Sequence, residues 1–487
     1  MLRSKAMFDN ATIIAMAAGA ALVAGITALR YPRLCFGVLF LVASFSRATL
    51  ETPLGTMRPE MPAVLVVAVV LLVGGRFKSL RGLPRPTLAM CLAFAIYLGV
   101  LAISSTFVAP GRSQSLHMVA WFAISMVAGI EAFVLILARP TDAIKPLAFG
   151  GFVMGTIGIL AAVAFLVAGP VSSFGVQEQF AAVPRVYGVA WEGNLYASLL
   201  AICTFFALEA ARGRRTAAGL LMLAAVLIGF PLGITRAAYL GLAIGAVAYA
   251  GVRIILERHP RELLRPGALS AALLIVGVGA SLVLLPNVVQ RHYVPPVAVG
   301  SATPSGTATV AGTVAGTVAP LPTFGPSYDT FGYRLERVSI ALGQMPGSPL
   351  IGFGAAAFGQ ENPTRYNGSG PDYIAVMSVA VLYESGIIGA TALAIGFALL
   401  LASLWIAGRR FAARPDSAGV GAAAAFIAAI ITMLVAYQAT NALPYAITWI
   451  IIGAASALAA SNTSGVTWRD FVTLSPHQEG QNTKLDT

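Results

Sequence analysis

Charge is what this sequence has least of. Only 10% of its 487 residues are Asp, Glu, Lys or Arg, against 58% hydrophobic residues, whereas a soluble globular domain carries about 25% charged residues. That balance excludes a water-soluble fold. Acid is scarcer than base, with 19 Asp and Glu against 31 Lys and Arg and a formal net charge of +12. The Lys and Arg are scattered through short loops and build no basic domain, so the excess speaks for membrane topology and against a nucleic-acid partner. Cysteine is almost absent. Cys35, Cys91 and Cys203 lie inside apolar runs at spacings that suit neither a metal site nor a disulfide framework, and read as packing residues. The four histidines, His117, His259, His292 and His477, are far apart and never beside a carboxylate at ligand spacing, so neither a metal nor another cofactor is expected.

Long apolar runs are what the sequence does have. Stretches of roughly 17 to 25 residues match a helix that crosses a hydrocarbon core about 30 Å thick. A transmembrane barrel would alternate at period two, but 237–256 and 268–285 are apolar on every side. The N-terminus carries Arg3 and Lys5 before an apolar run to Leu29, as a signal peptide would. Arg30, Pro32 and Arg33 behind it, without a small-residue cleavage site, favour a retained first helix. The candidate spans are 11–29, 34–46, 60–75, 87–104, 117–138, 147–169, 194–211, 217–234, 236–256, 268–286, 374–408, 418–436 and 441–460. The expected fold class is therefore all-α, a polytopic integral membrane protein with about 12 or 13 transmembrane helices.

Orientation follows from the basic loops. Arg76/Lys78/Arg81/Arg85, Arg139/Lys145, Arg212/Arg214/Arg215, Arg253/Arg258/Arg261/Arg265 and Arg409/Arg410/Arg414 alternate with poorer loops and are placed in the cytoplasm. Residues 1–286 then form an N-terminal transmembrane bundle, 287–373 a long extracytoplasmic loop, 374–460 the C-terminal transmembrane helices and 461–487 a cytoplasmic tail. Within the outer loop, 301–323 is a Ser/Thr/Gly/Ala/Pro tract with the tandem Val310-Ala-Gly-Thr and Val314-Ala-Gly-Thr, too poor in apolar residues to bury a core and expected to be a disordered spacer. Helical period returns at 331–345, where Leu335, Val338, Leu342 and Met345 form a stripe flanked by Arg334 and Arg337. This reads as an amphipathic helix on the outer membrane surface.

The positive-inside rule does not account for Arg47, Arg58, Arg112, Arg185, Arg236, Arg291, Arg334, Arg337 and Arg365, all of which this topology places outside. Arg236 is the sharpest case, because Gly233-Ile-Thr-Arg236-Ala-Ala-Tyr joins two apolar runs with almost no loop and sets a permanent cation at the membrane boundary. Snorkelling to the interface, or pairing with one of the outer carboxylates Glu51, Glu60, Glu178, Glu192, Asp329, Glu336, Glu361 and Asp372, would satisfy any single one of them. Several in one bundle fit phosphate better, since guanidinium forks match phosphate oxygens bidentately. Arg185-Val-Tyr-Gly188 with Glu192-Gly-Asn194 reads as an outer turn capped by Asn. The segment 349–359, PLIGFGAAAFG, lacks the lysine and serine of a nucleotide loop and reads as backbone turns.

Over roughly residues 180 to 400 the order of features resembles the O-antigen ligase and polysaccharide polymerase family. The resemblance is carried by Arg185-x-x-Gly188 with Asn194, Thr235-Arg236-Ala-Ala, Arg334 and Arg337, SPLIGFG at Ser348 to Gly354, and Glu384-Ser-Gly-Ile-Ile-Gly389. It implies a multi-pass protein of the bacterial inner membrane that transfers or polymerises a glycan from an undecaprenyl-pyrophosphate-linked donor onto a glycan or lipid-anchored acceptor, on the extracytoplasmic face. In that family the arginines matching Arg236 and one on the outer helix hold the pyrophosphate, which agrees with the charge argument. Arg236, Arg334, Arg337 and Arg185 are the candidate pyrophosphate ligands. The chain departs from the family at the His-Asn pair usual about nine residues before the glutamate, where it has Ala375 and Val376. The general-base duty then passes to Asp372, ranked first as nearest in sequence, or to Glu192, or is dispensed with where the leaving pyrophosphate is activated enough. The rival from another class is a transporter or flippase for a lipid-linked anion, which would also want arginines in a membrane cavity. A peptidoglycan polymerase fits the quoted residues less well.

Overall fold

A computed structural model describes residues 10–52, 55–168, 176–179, 183–190, 192–212, 217–257, 270, 274–275, 277–279, 330–362, 373–414 and 416–461. The chain is an all-α polytopic membrane protein: eight of the described helices are long and apolar enough to cross a bilayer, and four shorter apolar helices accompany them. In chain order they are α1 (Asn10–Arg30), α2 (Pro32–Ser44), α3 (Glu60–Val73), α4 (Arg85–Phe107), α5 (Arg112–Ile136), α6 (Ile144–Ala168), α7 (Gly193–Arg212), α8 (Ala217–Gly229), α9 (Arg236–Glu257), the surface helix α10 (Thr330–Gln344), the short α11 (Ala357–Glu361), α12 (Met377–Ala413), α13 (Ser417–Ala436) and α14 (Ala446–Ser461). These match the expected spans closely, except that 268–286 lies mostly outside the described residues, as do the 301–323 tract and the tail. Two features went unanticipated: antiparallel hairpins β1 (Leu50–Thr52) with β2 (Gly55–Met57), and β3 (Val176–Gln179) with β4 (Val183–Val186). Both belong to loops that the charge bias places outside.

Helices in lipid gain no hydrophobic drive from one another, so close approach depends on small residues. Where α5 crosses α14, Gly129 faces Gly453, and a Cβ at Gly453 would stand 1.9 Å from the Gly129 carbonyl oxygen. Helices α7, α13 and α14 form the interior and are buried along almost their whole length. Between α9 and α13 the Thr432 hydroxyl donates to the Gly241 carbonyl at 3.0 Å, spending a polar group inside the bundle.

The basic ends of the helices gather at one end of the bundle. There Arg33 pairs with Asp142 at 2.7 Å. Arg253, which the sequence placed with a basic loop, instead belongs to α9, is 3% exposed, and pairs with Glu257 at 2.8 Å and Glu209 at 3.6 Å. A buried guanidinium needs such partners, and the i,i+4 spacing to Glu257 supplies one within the same helix.

Candidate functional site

At the opposite end the loops between helices interlock into a polar belt, and Arg185 is its most elaborately held cation. Strand β4 delivers it to the start of α7 and to the one-turn 3-10 segment Phe230–Gly233 that precedes α9. Its Nε donates to the Gly233 carbonyl at 3.2 Å, and Nη2 reaches Asn194 Oδ1 at 2.8 Å, the Ile234 carbonyl at 2.9 Å and Thr235 Oγ1 at 3.0 Å. Thr235 in turn donates to Asn194 Oδ1 at 3.1 Å. The Asn194 side chain therefore serves Arg185 and Thr235 and not its own helix end; the first turn of α7 is closed by the Glu192 carbonyl, which accepts from Tyr196 N–H at 3.0 Å. This corrects the reading of Asn194 as a cap.

Turning the Ile234 carbonyl toward Arg185 requires φ of 44° at a β-branched residue, a conformation that is costly unless its surroundings enforce it. The same turn ends at Arg236, the first residue of α9, whose side chain is exposed. It forms no ion pair with a described carboxylate. A helix N-terminus favours anions, so a cation there adds to a field that attracts negative charge.

Arg334 and Arg337 lie on the surface helix, half-buried, on the side that carries the buried Ala341. That side differs from the expected apolar stripe: Ile340, Ala341 and Met345 face a small core formed with Phe353, Phe358, Ile374, Ala380 and Tyr383, while Leu335 and Leu342 are exposed. Two leucines one heptad apart on the outward side suit contact with lipid. Arg334 lies within electrostatic reach of Arg185. Burial draws the Arg185 guanidinium below its ordinary pKa, Glu192 opposes that, and Arg334 adds to it. Arg337 stacks over Tyr333 at 4.7 Å and meets Glu336 at 3.5 Å.

Of the two acids considered for proton transfer, Glu192 stands in this belt, half-buried, accepting a hydrogen bond from the Thr440 hydroxyl in the turn between α13 and α14. Asp372 lies outside the described residues, as do Arg291 and Arg365. Two other arginines of the set left unexplained by topology have aromatic partners distant in sequence. Arg47 rests over the Tyr187 ring at 3.8 Å, and Arg58 sits between Trp121 at 4.2 Å and Tyr445 at 4.3 Å, beside Glu60. Cation–π contacts of this kind stabilise a desolvated guanidinium, for Arg47 through Tyr187 and for Arg58 together with Glu60, so these two are structural.

The belt thus brings together Arg185, Asn194, Thr235, Glu192 and Arg334, with Arg236 on the same turn. Thr440 and the aromatic partners carried no sequence signal, because nothing in a lone threonine or tyrosine names a partner on another helix. Among the described residues no group of His, Cys, Asp or Glu is arranged to hold a metal ion. Compared with known proteins, the chain matches no protein-family model and no curated protein.

Proposed function

We propose that this membrane protein is a glycosyltransferase of the bacterial inner membrane, using an undecaprenyl-pyrophosphate-linked glycan as donor on the extracytoplasmic face. The observation that carries the reading is a cluster of cations built on one turn: Arg185, held by four acceptors that include the Gly233 and Ile234 carbonyls, and the exposed Arg236 at which that turn ends, with Arg334 of the surface helix within electrostatic range of Arg185. Like charges raise each other's energy, and a pyrophosphate between them reverses the sign of that interaction. Arg236 at the start of α9 and Arg337 on the surface helix widen the same positive field. The chain order of these residues, which resembles the O-antigen ligase and polysaccharide polymerase family, supports the same reading.

In the reaction the bond between the anomeric carbon and the pyrophosphate oxygen breaks, and the carrier pyrophosphate leaves with the electron pair. The arginines stabilise the charge that grows on it. An acceptor hydroxyl forms the new bond to the anomeric carbon and gives its proton to a carboxylate, Glu192 or Asp372. The flippase reading would use the same cations to move the carrier without breaking a glycosidic bond. Glycosidic bond formation by the purified protein separates transferase from flippase, and deleting the gene and sizing the lipid-linked glycans by mass spectrometry separates polymerase from ligase. Accumulated single repeat units on the carrier would indicate a polymerase, and long unattached chains a ligase. An unchanged profile would refute both.

A further inference from the structure

Helix α12 is 37 residues long, about 55 Å if it ran straight, which exceeds the hydrocarbon core. It is broken at Gly386, whose φ of 62° and ψ of −170° lie outside the helical region. In an unbroken helix the N–H groups of Ile387 and Ile388 would bond the carbonyls of Tyr383 and Glu384. Here those two bonds are exchanged for four to the segment that follows the surface helix. Ile387 N–H donates to the Pro349 carbonyl at 2.9 Å and Ile388 N–H to Leu350 at 3.1 Å, while the Tyr383 and Glu384 carbonyls accept from Phe353 and Gly354, each at 2.9 Å. The break is therefore a socket into which residues 349–354 plug, and the four backbone groups freed at Tyr383, Glu384, Ile387 and Ile388 are all bonded to that segment. The fit is tight: a Cβ on Gly352 would meet the Gly386 nitrogen at 2.5 Å.

Two side chains at the socket reach farther. The Tyr383 hydroxyl donates to Gln344 Oε1 at 2.8 Å, at the last residue of the surface helix, and its ring stacks on Phe353 with centroids 4.8 Å apart. Glu384 Oε1 accepts from the Ala356 N–H at 3.0 Å, at the far end of the plugged segment. Ser104 and Ser105 of α4 secure the same knot, through Ser104 Oγ to the Glu384 carbonyl at 3.1 Å and the Ala355 N–H to Ser105 Oγ at 2.9 Å.

We infer that Tyr383 and Glu384 are positioning residues for the surface helix: they hold Gln344, its last residue, and Ala356, just beyond the plugged segment 349–354, and so set where Arg334 and Arg337 stand relative to Arg185. The inference rests on the proposed pyrophosphate site for its functional meaning, but the clamp itself is independent of substrate.

The test is a distance measurement joined to an activity measurement. Spin labels at the exposed Ser113 on α5 and the exposed Ser339 on the surface helix, in full-length protein with Cys91 replaced by Ser, report the helix position in lipid nanodiscs. The distance distribution should be narrow in the otherwise unaltered protein and in Glu384→Gln, whose amide oxygen still accepts from Ala356. It should broaden in Glu384→Ala and Tyr383→Phe. Tyr383→Phe keeps the ring against Phe353 and so remains informative if Glu384→Ala does not fold. Transfer assays on the unlabelled variants should show KM for the lipid-linked donor rising by about tenfold in the two broadened variants, the scale of one lost hydrogen bond, with kcat less affected and Glu384→Gln restored. Distributions that stay narrow in both Glu384→Ala and Tyr383→Phe would overturn the inference. Broadened distributions in a protein that transfers no glycan would leave the clamp standing and defeat the proposed reaction instead.

Discussion

Replacing Arg185 and Arg334 by alanine should produce opposite signatures, because one arginine is built into the fold and the other only faces it. In Arg185→Ala, Asn194 Oδ1 keeps its bond from Thr235, but the carbonyls of Gly233 and Ile234 lose the donor that reaches them at 3.2 and 2.9 Å. The Thr235 hydroxyl also lies 3.1 Å from the Gly233 carbonyl and can serve it, but the Ile234 carbonyl left without its donor costs about 1–3 kcal/mol and the left-handed Ile234 loses the contact that justifies it, so the variant should be destabilised by about 2–4 kcal/mol. Arg334 has no such bonds, and its removal relieves a repulsion on Arg185, so its stability should stay within about 0.5 kcal/mol. The assay is thermal unfolding followed by a maleimide dye that reacts as the buried Cys35 and Cys203 become exposed, after the exposed Cys91 has been blocked. Cys203 lies in α7, whose first turn adjoins the Arg185 site. Coincident melting of Arg185→Ala and the unaltered protein would refute the claim that this guanidinium is held by the fold.

Other substitutions probe the surroundings. Gly386→Ala forces a side chain into left-handed backbone and places its Cβ 2.4 Å from Leu350, so it should be destabilised by about 2–5 kcal/mol in the same melting assay. Arg58→Ala strands the buried Glu60 and two aromatic faces and should cost about 3 kcal/mol or more, part of which Glu60→Gln in the same protein should restore. A chelator should leave glycan transfer unchanged, and a loss of activity restored by a divalent cation would contradict the arginine-only account of charge stabilisation.

Much of the architecture was legible because lipid imposes a length. Runs of apolar residues set the helices to within a few positions, and the return of helical period after 323 located the surface helix at 330–344. What stayed hidden depended on single residues or distant partners. The 374–408 span reads as one continuous apolar helix, since one glycine among Glu384, Ser385 and Ile387 leaves the composition unchanged while its φ breaks the helix. The surface helix was assigned its apolar face by Leu335, Val338, Leu342 and Met345; Met345 does face the small core, with Ile340 and the buried Ala341, whereas Leu335 and Leu342 point away from it. In the site, Arg185, Asn194 and Thr235 were each visible as motif members, but a motif does not state that one guanidinium bridges the others. Arg47 and Arg58 looked like unexplained cations because their aromatic partners sit far off in sequence, on other loops and on α5.

The central claim is that Arg185, Arg334 and Arg236 grip a pyrophosphate whose departure drives transfer. The most direct measurement is glycan transfer by purified protein in nanodiscs from a polyprenyl-pyrophosphate-linked donor, comparing the unaltered chain with Arg334→Ala and Arg236→Ala. Neither arginine is bonded to a described backbone group, so both variants should remain folded. Each should lose on the order of 100-fold in rate, as charge-stabilising donors do when removed. Transfer near the unaltered rate by both folded variants would contradict the account.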